Sequence, residues 1–384
     1  MQKRIPTVLM RGGTSKGLFF NVNHLPGNIE TRNRLILATF GSPDPNKRQI
    51  DGIGGGVSTT SKVAIISPSD KPEYDVEYNF GQVSIDRPIV DFKGNCGNIS
   101  SAVGPYAIDE GLVKAVEPVT QVRIHQKNTN KLIIAEVPVK NGKFDEEGDY
   151  QIAGVPGTHS RITLRFSDPG GSLTGKLFPS GNRTDTIVLP VFGEIHVTII
   201  DAANPVVLVR AVSLGLKGTE IDEVDTNSEL KSILEAIRCK AAVMIGLAAS
   251  EQEATETSQA VPKIAFISHT QPYTTTSGRK LEADELDIVA RIMSMGTLHR
   301  SYAVSGGIST AGAAMIPGTI AHDLISDEAR GRDLLRIGHP GGIIDIGAVI
   351  EKNGDEYIYK EAAVGRTARR LMEGYAFCSE KDFT

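Results

Sequence analysis

Two residues of this sequence stand where proton chemistry could be done. Lys62 follows the small-residue run Ser58-Thr59-Thr60-Ser61 and opens the apolar run Val63-Ala64-Ile65-Ile66. A lysine between a loop and a buried strand has two uses. It is a strand-edge residue whose ammonium reaches back to water, or an amine kept dry and neutral as a base. At the ordinary lysine pKa of ~10.4, only about one molecule in 2,500 would be neutral at pH 7. Lowering that pKa by ~3 units takes roughly 4 kcal/mol of destabilisation of the ammonium, which burial can supply. Cys96 lies in Gly94-Asn95-Cys96-Gly97-Asn98, at the expected start of a helix. There the free N–H groups favour a thiolate or a bound anion. The bland alternative is a small buried hydrophobe. Two asparagines and two glycines around the sulfur favour a polar site of close approach.

Other segments are weaker. Arg11-Gly12-Gly13-Thr14-Ser15-Lys16-Gly17 is a glycine-rich turn after a strand. Its lysine precedes glycine, the reverse of a phosphate loop. It is either a nest of N–H groups and hydroxyls for a carboxylate or a plain β-turn. Asp51-Gly52-Ile53-Gly54-Gly55-Gly56 fails the dinucleotide spacing. The eight histidines are isolated, with no HExxH pair, so no histidine metal site is expected. His339 sits in the turn Gly338-His339-Pro340-Gly341-Gly342, and Asn204 follows a strand in Asp201-Ala202-Ala203-Asn204-Pro205. Each is either a substrate contact or a turn residue. Cys239 and Cys378 read as packing.

The elements that must hold these residues are mostly strands. Short β-rich runs are punctuated by Gly, Pro, Asn and Asp, with strands expected near 7–10, 62–66, 74–80, 122–125, 132–137, 186–190, 194–200, 206–210 and 263–268, and another within 364–377. Leu230, Ile233, Leu234 and Ile237 mark an amphipathic helix, and Leu286, Val289 and Met293 a second one with acidic residues at its start. Two segments look alike: Gly94–Pro105 and Ser305–Pro317 each begin with glycine and small polar residues and turn apolar. That is the pattern of a buried helix whose N-terminus meets a polar site, with Cys96 matched to Ser309. The fold class is α+β, with two similar halves and a boundary near residue 190.

With 384 residues, 40% hydrophobic, and a net charge of −5, the chain can fill sizeable cores and lacks the positive field of a nucleic-acid binder. Three scattered cysteines with no CxxC pair exclude a disulfide framework. No signal-peptide pattern and no apolar run of membrane length are seen, so a reduced, cytoplasmic location is expected.

Taken together, Arg-Gly-Gly-Thr-Ser-Lys-Gly at 11–17, Asp-Gly-Ile-Gly-Gly at 51–55, Thr-Ser-Lys at 60–62 and Gly-Asn-Cys-Gly-Asn at 94–98 resemble the PrpF-type isomerases. So do Asn204-Pro205, Ile316-Pro317-Gly318-Thr319 and Arg336-Ile337-Gly338-His339-Pro340. That family includes 2-methylaconitate cis-trans isomerase, 3-methylitaconate Δ-isomerase and 4-oxalomesaconate tautomerase. The resemblance implies a diaminopimelate-epimerase-like fold of two domains, each a curled sheet around a central helix. The domains would be 1–190, completed by a C-terminal strand at 366–384, and 191–365, with the site in the cleft between them. It implies Lys62 as the proton-abstracting residue and Cys96 as its partner. The related epimerases use one thiol from each half; here Ser309 takes the second place, which counts against an amino-acid epimerase.

The expected reaction is a cofactor-independent 1,3-allylic proton shift on a small unsaturated di- or tricarboxylate. Expected substrate-binding residues are Thr14, Ser15, Ser61, Asn95, Gly97, Asn98, Asn204, Ser309, Thr310 and His339, with no metal. Expected partners are that anionic substrate, with no nucleic acid and no membrane; a homo-oligomer is compatible with the chain. The rival readings are an amino-acid epimerase or racemase and a non-catalytic carboxylate-binding protein.

Overall fold

The computed structural model describes residues 2–190 and 192–379, and divides into two compact units. Unit 1 is Met1–Leu164 with Gly365–Thr384, and unit 2 is Arg165–Val364. The division thus falls at 164/165, ahead of the boundary expected near 190. Of the C-terminal segment expected over 366–384, residues 380–384 lie outside the described residues.

Unit 1 contains β1 (Gln2–Gly12), β2 (Ser15–Asn21), β3 (Lys62–Pro68), β4 (Val76–Val83), β5 (Val90–Asp91), β6 (Val119–Gln126) and β7 (Lys131–Lys140). The C-terminal strand Ala368–Ser379 pairs antiparallel with β1. From that edge, β1–β2 is antiparallel, β2–β3 parallel, β3–β4 antiparallel, β4–β6 parallel and β6–β7 antiparallel. The short β5 pairs antiparallel with β4. Helix α1 (Ile29–Phe40) covers β2 and β3 with Leu35, Ile36 and Phe40, which are buried among Leu18, Phe20, Val63 and Ile65. The Asn28 side chain caps its N-terminus, and Gly41, at φ +69°, ends it. Helices α2 (Gly97–Ser100) and α3 (Val103–Asp109) follow β5, with nearly every side chain buried.

Unit 2 repeats this arrangement. Its strands are β8 (Asp185–Leu189), β9 (Gly193–Ala202), β10 (Asn204–Arg210), β11 (Lys263–Ser268), β12 (Ile288–Ser294), β13 (Thr297–Leu298), β14 (Leu334–His339), β15 (Gly342–Asn353) and β16 (Glu356–Arg366), of which the last two residues belong to unit 1. Pairings β8–β9 and β9–β10 are antiparallel, β10–β11 parallel, β11–β12 antiparallel, β12–β14 parallel and β14–β15 antiparallel. This is the same order of directions as in unit 1, read from the C-terminal strand. The short β13 pairs antiparallel with β12, as β5 does with β4. Helix α4 (Ser228–Met244) has the expected amphipathic face, burying Leu230, Leu234 and Ile237. Helix α5 (Val304–Ala314) is buried at every residue. Its glycines admit neighbouring side chains; a Cβ at Gly312 would lie 2.6 Å from the Tyr359 ring.

Two expectations are corrected here. The helix expected at Leu286, Val289 and Met293 is strand β12. All of Ile288–Ser294 is buried, so both faces of the strand are covered. The period-two alternation that would have marked it is absent, and the helical spacing is a coincidence within a continuous apolar run. The acidic residues before it do not start a helix of that length. Glu282 and Glu285 close a capping box on the single turn Ala283–Glu285, while Asp287 pairs with Arg332 and Arg336. The strand expected over 364–377 is the end of β16 and most of the C-terminal strand, broken at Thr367.

No helix among the described residues is long and apolar enough to cross a membrane.

Candidate active site

The hairpin β1–β2 turns at Gly13-Thr14, with Gly12 paired to Ser15. Gly13 has φ +51°, and a Cβ there would lie 2.2 Å from Asn98 Oδ1. The residue is glycine both for its left-handed backbone and because Asn98 occupies the space. Asn98 Oδ1 accepts from the Thr14 N–H at 3.3 Å, and Thr367 O accepts from the Gly13 N–H at 2.8 Å. Arg11 donates through Nη1 to the carbonyls of Gly13 and Thr367, each at 3.1 Å, clamping the turn from behind. The hairpin is therefore fixed against the first turn of α2. Beside it, Ser15 Oγ is buried in a side chain 3% exposed and has no hydrogen-bond partner among the described residues. An orphaned buried hydroxyl costs free energy unless a ligand satisfies it.

Cys96 is the N-cap of α2, and its side chain makes no capping bond. Its carbonyl accepts from Ser100 N at 2.9 Å and Ser100 Oγ at 3.0 Å, while Asn95 Oδ1 accepts from Ser100 Oγ at 3.3 Å. The sulfur is thus free of local backbone duty. The N–H groups of the first turn, Gly97 and Asn98 among them, have no acceptor within the helix.

Lys62 begins β3, opposite Gly17 on β2 and Gln82 on β4. A Cβ at Gly17 would lie 2.6 Å from the Lys62 carbonyl oxygen, so this glycine of the 11–17 motif lets the lysine strand pack close. The lysine is only 6% exposed. Its Nζ donates to Gln82 Oε1 at 2.5 Å, lies 5.2 Å from the centre of the Phe80 ring and is near enough to Cys96 for the two to interact electrostatically. Burial lowers its pKa from the ordinary lysine value, partly opposed by the charge and hydrogen bond of Cys96. Around the same sulfur, burial first and the Cys96 charge second push the Tyr78 phenol well above its ordinary pKa. Tyr78, Phe80 and Gln82 share one face of β4, at i, i+2 and i+4, and all three are buried.

Unit 1 thus brings together Thr14, Ser15, Asn95, Cys96, Gly97 and Asn98 at the α2 start, with Lys62 within electrostatic reach of Cys96. Ser61 is next to Lys62, but its hydroxyl is 2.7 Å from Gln49 Oε1 and 2.9 Å from Val57 O, so its one proton is already committed. Gln82, Phe80 and Tyr78 escaped the sequence reading. The signal was present: in Val76–Val83 a glutamine falls on the face of alternate residues that also carries Tyr78 and Phe80.

In unit 2, Asn204 Nδ2 donates to Ser305 Oγ at 2.9 Å in the first turn of α5. Ser309 is not at a helix start. It lies in the middle of α5, and its hydroxyl is 2.7 Å from Ala202 O and 2.8 Å from Asn204 O, staking the helix to the β9–β10 turn. By N-cap position the counterpart of Cys96 is Ala303. Thr310 Oγ1 bonds Gly306 O at 2.8 Å and the Tyr302 hydroxyl at 3.0 Å. His339 ends β14, 2% exposed, with Nδ1 accepting from Gly341 N at 3.1 Å. Among the described residues no group of three or more His, Cys, Asp or Glu side chains is placed to hold a metal.

The model of the PrpF protein family matches residues 2–379. A 3-methylitaconate isomerase of Eubacterium barkeri is 48% identical over 378 residues, covering 98% of this chain and 97% of that protein. A 2-methyl-aconitate isomerase of Cupriavidus necator is 40% identical over 386 residues, covering 97% of each. The crystal structure of a methylitaconate-delta-isomerase superposes with a TM-score of 0.80 at 47% identity, covering 100% of this chain and 97% of that one. A hydroxyproline epimerase from Agrobacterium vitis shares the fold at a TM-score of 0.56 and 14% identity, covering 98% of this chain and 93% of that one. The epimerase-like α+β fold is thereby established. By family match, by identity along its whole length and by fold, the chain belongs to the PrpF family and is an isomerase.

Proposed function

We propose that this protein catalyses a 1,3-allylic proton shift on a small unsaturated di- or tricarboxylate of the 3-methylitaconate or 2-methylaconitate kind. In this reading Lys62 is the base and Cys96 its partner. The observation that carries the reading is a lysine amine buried at 6% exposure, its pKa lowered by burial, that interacts electrostatically with a cysteine at a helix start. The names of the relatives supply the substrate class.

The steps follow from the groups. Neutral Lys62 Nζ uses its lone pair to remove a proton from a carbon next to a C=C bond that is conjugated to a carboxylate. The C–H electron pair spreads over the dienolate, placing negative charge on the carboxylate oxygens. Ser15 Oγ, which has no hydrogen-bond partner among the described residues, and the first-turn N–H groups of Gly97 and Asn98 receive that charge; preorganised donors of this kind typically contribute ~3–4 kcal/mol each. A proton returns to the far carbon of the three-carbon system, from the Lys62 ammonium or through the Cys96 thiol, and the double bond has moved. Rotation about the former double bond before reprotonation gives cis-trans isomerisation. Each turnover restores one amine and one thiol, so the proton count closes.

An epimerase with two thiols gains no support. The first residues of α5 are Val304 and Ser305 after the cap Ala303, and no cysteine stands there.

The test is incubation with 3-methylitaconate, 2-methylaconitate, aconitate and oxalomesaconate, beside a panel of amino acids, in D₂O with NMR detection. Migration of the double bond, with deuterium entering at the ends of the allylic system, is expected for at least one acid. Exchange confined to the α-carbon of an amino acid, or none at all, would overturn the reading.

A further inference from the structure

The Gly54–Gly56 run and the amide of Gln82 play no part in the mechanism above, yet they belong to one network of contacts that ends on the buried Lys62. Gln82 is 4% exposed and sits directly opposite Lys62 across β3–β4. Its Nε2 donates to Ser58 O at 3.1 Å and to Ser61 O at 3.0 Å. Those two carbonyls fix which end of the amide is the donor. The oxygen is thereby turned to Lys62 Nζ, at 2.5 Å.

Behind it stands a second glutamine. Gln49, 1% exposed and held at φ +50°, is bonded through Oε1 to Ser61 Oγ at 2.7 Å and to Gly56 N at 2.9 Å, and through Nε2 to Ser42 Oγ at 2.9 Å. A Cβ at Gly54 would lie 2.3 Å from Gln49 Cδ, so this glycine makes room for the amide. The backbone strain at Gln49 is retained because its side chain is bound on three sides.

We propose that Gln82, locked by Ser58 and Ser61 with Gln49 behind them, is the positioning residue of the proton-abstracting amine and sets the pH range in which it works. The inference rests on the reading of Lys62 as base and deepens it. A neutral amine has two N–H bonds and one lone pair; an acceptor fixed on one side takes an N–H and leaves the lone pair for another direction. A glutamine oxygen does this without a charge. A carboxylate at the same place would hold the ammonium and remove the base. The other titratable groups around this pair are Cys96 against Nζ, Tyr78 beside that sulfur, and Asp91, which faces Gln82 across β4–β5 and accepts from Lys93 N.

Gln82→Glu and Gln82→Met separate charge from geometry. In Gln82→Glu the acid limb of the kcat–pH profile is expected to move up by about one pH unit or more. Turnover at pH 7 should then fall about tenfold or more and recover in alkali, with KM within about threefold of wild type. Gln82→Met is expected to lose about tenfold in kcat at every pH, with no upward movement of the limb. Circular dichroism and thermal melting check that both variants fold. The Lys62 Cε–H NMR titration is followed in parallel in wild type and both variants. An upward move of that titration in Gln82→Glu supports the proposal, whether or not the rate follows; a rate profile that ignores it sinks the base reading instead. A Lys62 titration unchanged in a folded Gln82→Glu protein overturns the proposal.

Discussion

Lys62→Ala is expected to lower kcat by on the order of 10⁴-fold, the upper range for general-base catalysis, while binding of the unsaturated acid changes by no more than about threefold. The large effect follows because the amine that interacts with Cys96 is itself the proposed base. Deuterium incorporation from D₂O should vanish along with turnover. Lys62→Arg should not rescue either, since guanidinium does not release its proton in this pH range. Retained exchange in Lys62→Ala would remove the lysine from the mechanism. A thermodynamic counterpart has a definite sign. The folded-state pKa of Lys62 is lowered, so its ammonium costs stability at full strength below the folded pKa. That cost fades as the pH rises to the unfolded value of ~10.4. The stability of wild type relative to Lys62→Met should therefore increase with pH across that window, as read by urea unfolding. A difference that is flat with pH would mean the amine titrates alike in both states.

Cys96→Ser carries the second-largest effect, a fall in kcat of about 10²–10³-fold with KM little changed. It also makes a prediction that simple loss of packing does not. Cys96 raises the pKa of Lys62 against the effect of burial. Serine cannot carry the charge, so the lysine pKa should drop further, and the acid limb of the rate profile should move to lower pH even as the rate falls. Near-normal turnover would make the thiol a packing residue. An acid limb shifted upward would mean that the coupling between sulfur and amine has the opposite sign.

Much of this site is legible in the sequence. Gly-Asn-Cys-Gly-Asn before an apolar run marked a helix start, because small polar residues suit exposed first-turn N–H groups, and Cys96 is the N-cap of α2. Thr-Ser-Lys before Val-Ala-Ile-Ile placed Lys62 at the mouth of a buried strand. What could not be read was register. Gln82 meets Lys62 only through the β3–β4 pairing, and no spacing along the chain encodes which residues of two strands lie opposite. Ser309 was misplaced for a related reason. Helix α5 begins at Val304 after the cap Ala303, which has no side-chain capping bond, and its small residues offer several equivalent starts. Strand β12 was missed because burial of both faces erases alternation. The repetition of the two halves was visible only as two similar segments. In the structure it extends to the order and direction of the strands in each unit.

The most direct test of the central claim is the ionisation of Lys62 in the resting wild-type protein, followed by Cε–H NMR and assigned by the signal lost in Lys62→Ala. The amine should titrate below the ordinary lysine value of ~10.4, at the same pH as the acid limb of kcat/KM. A Lys62 signal that stays protonated through pH ~10 while the enzyme turns over at neutrality would contradict the account.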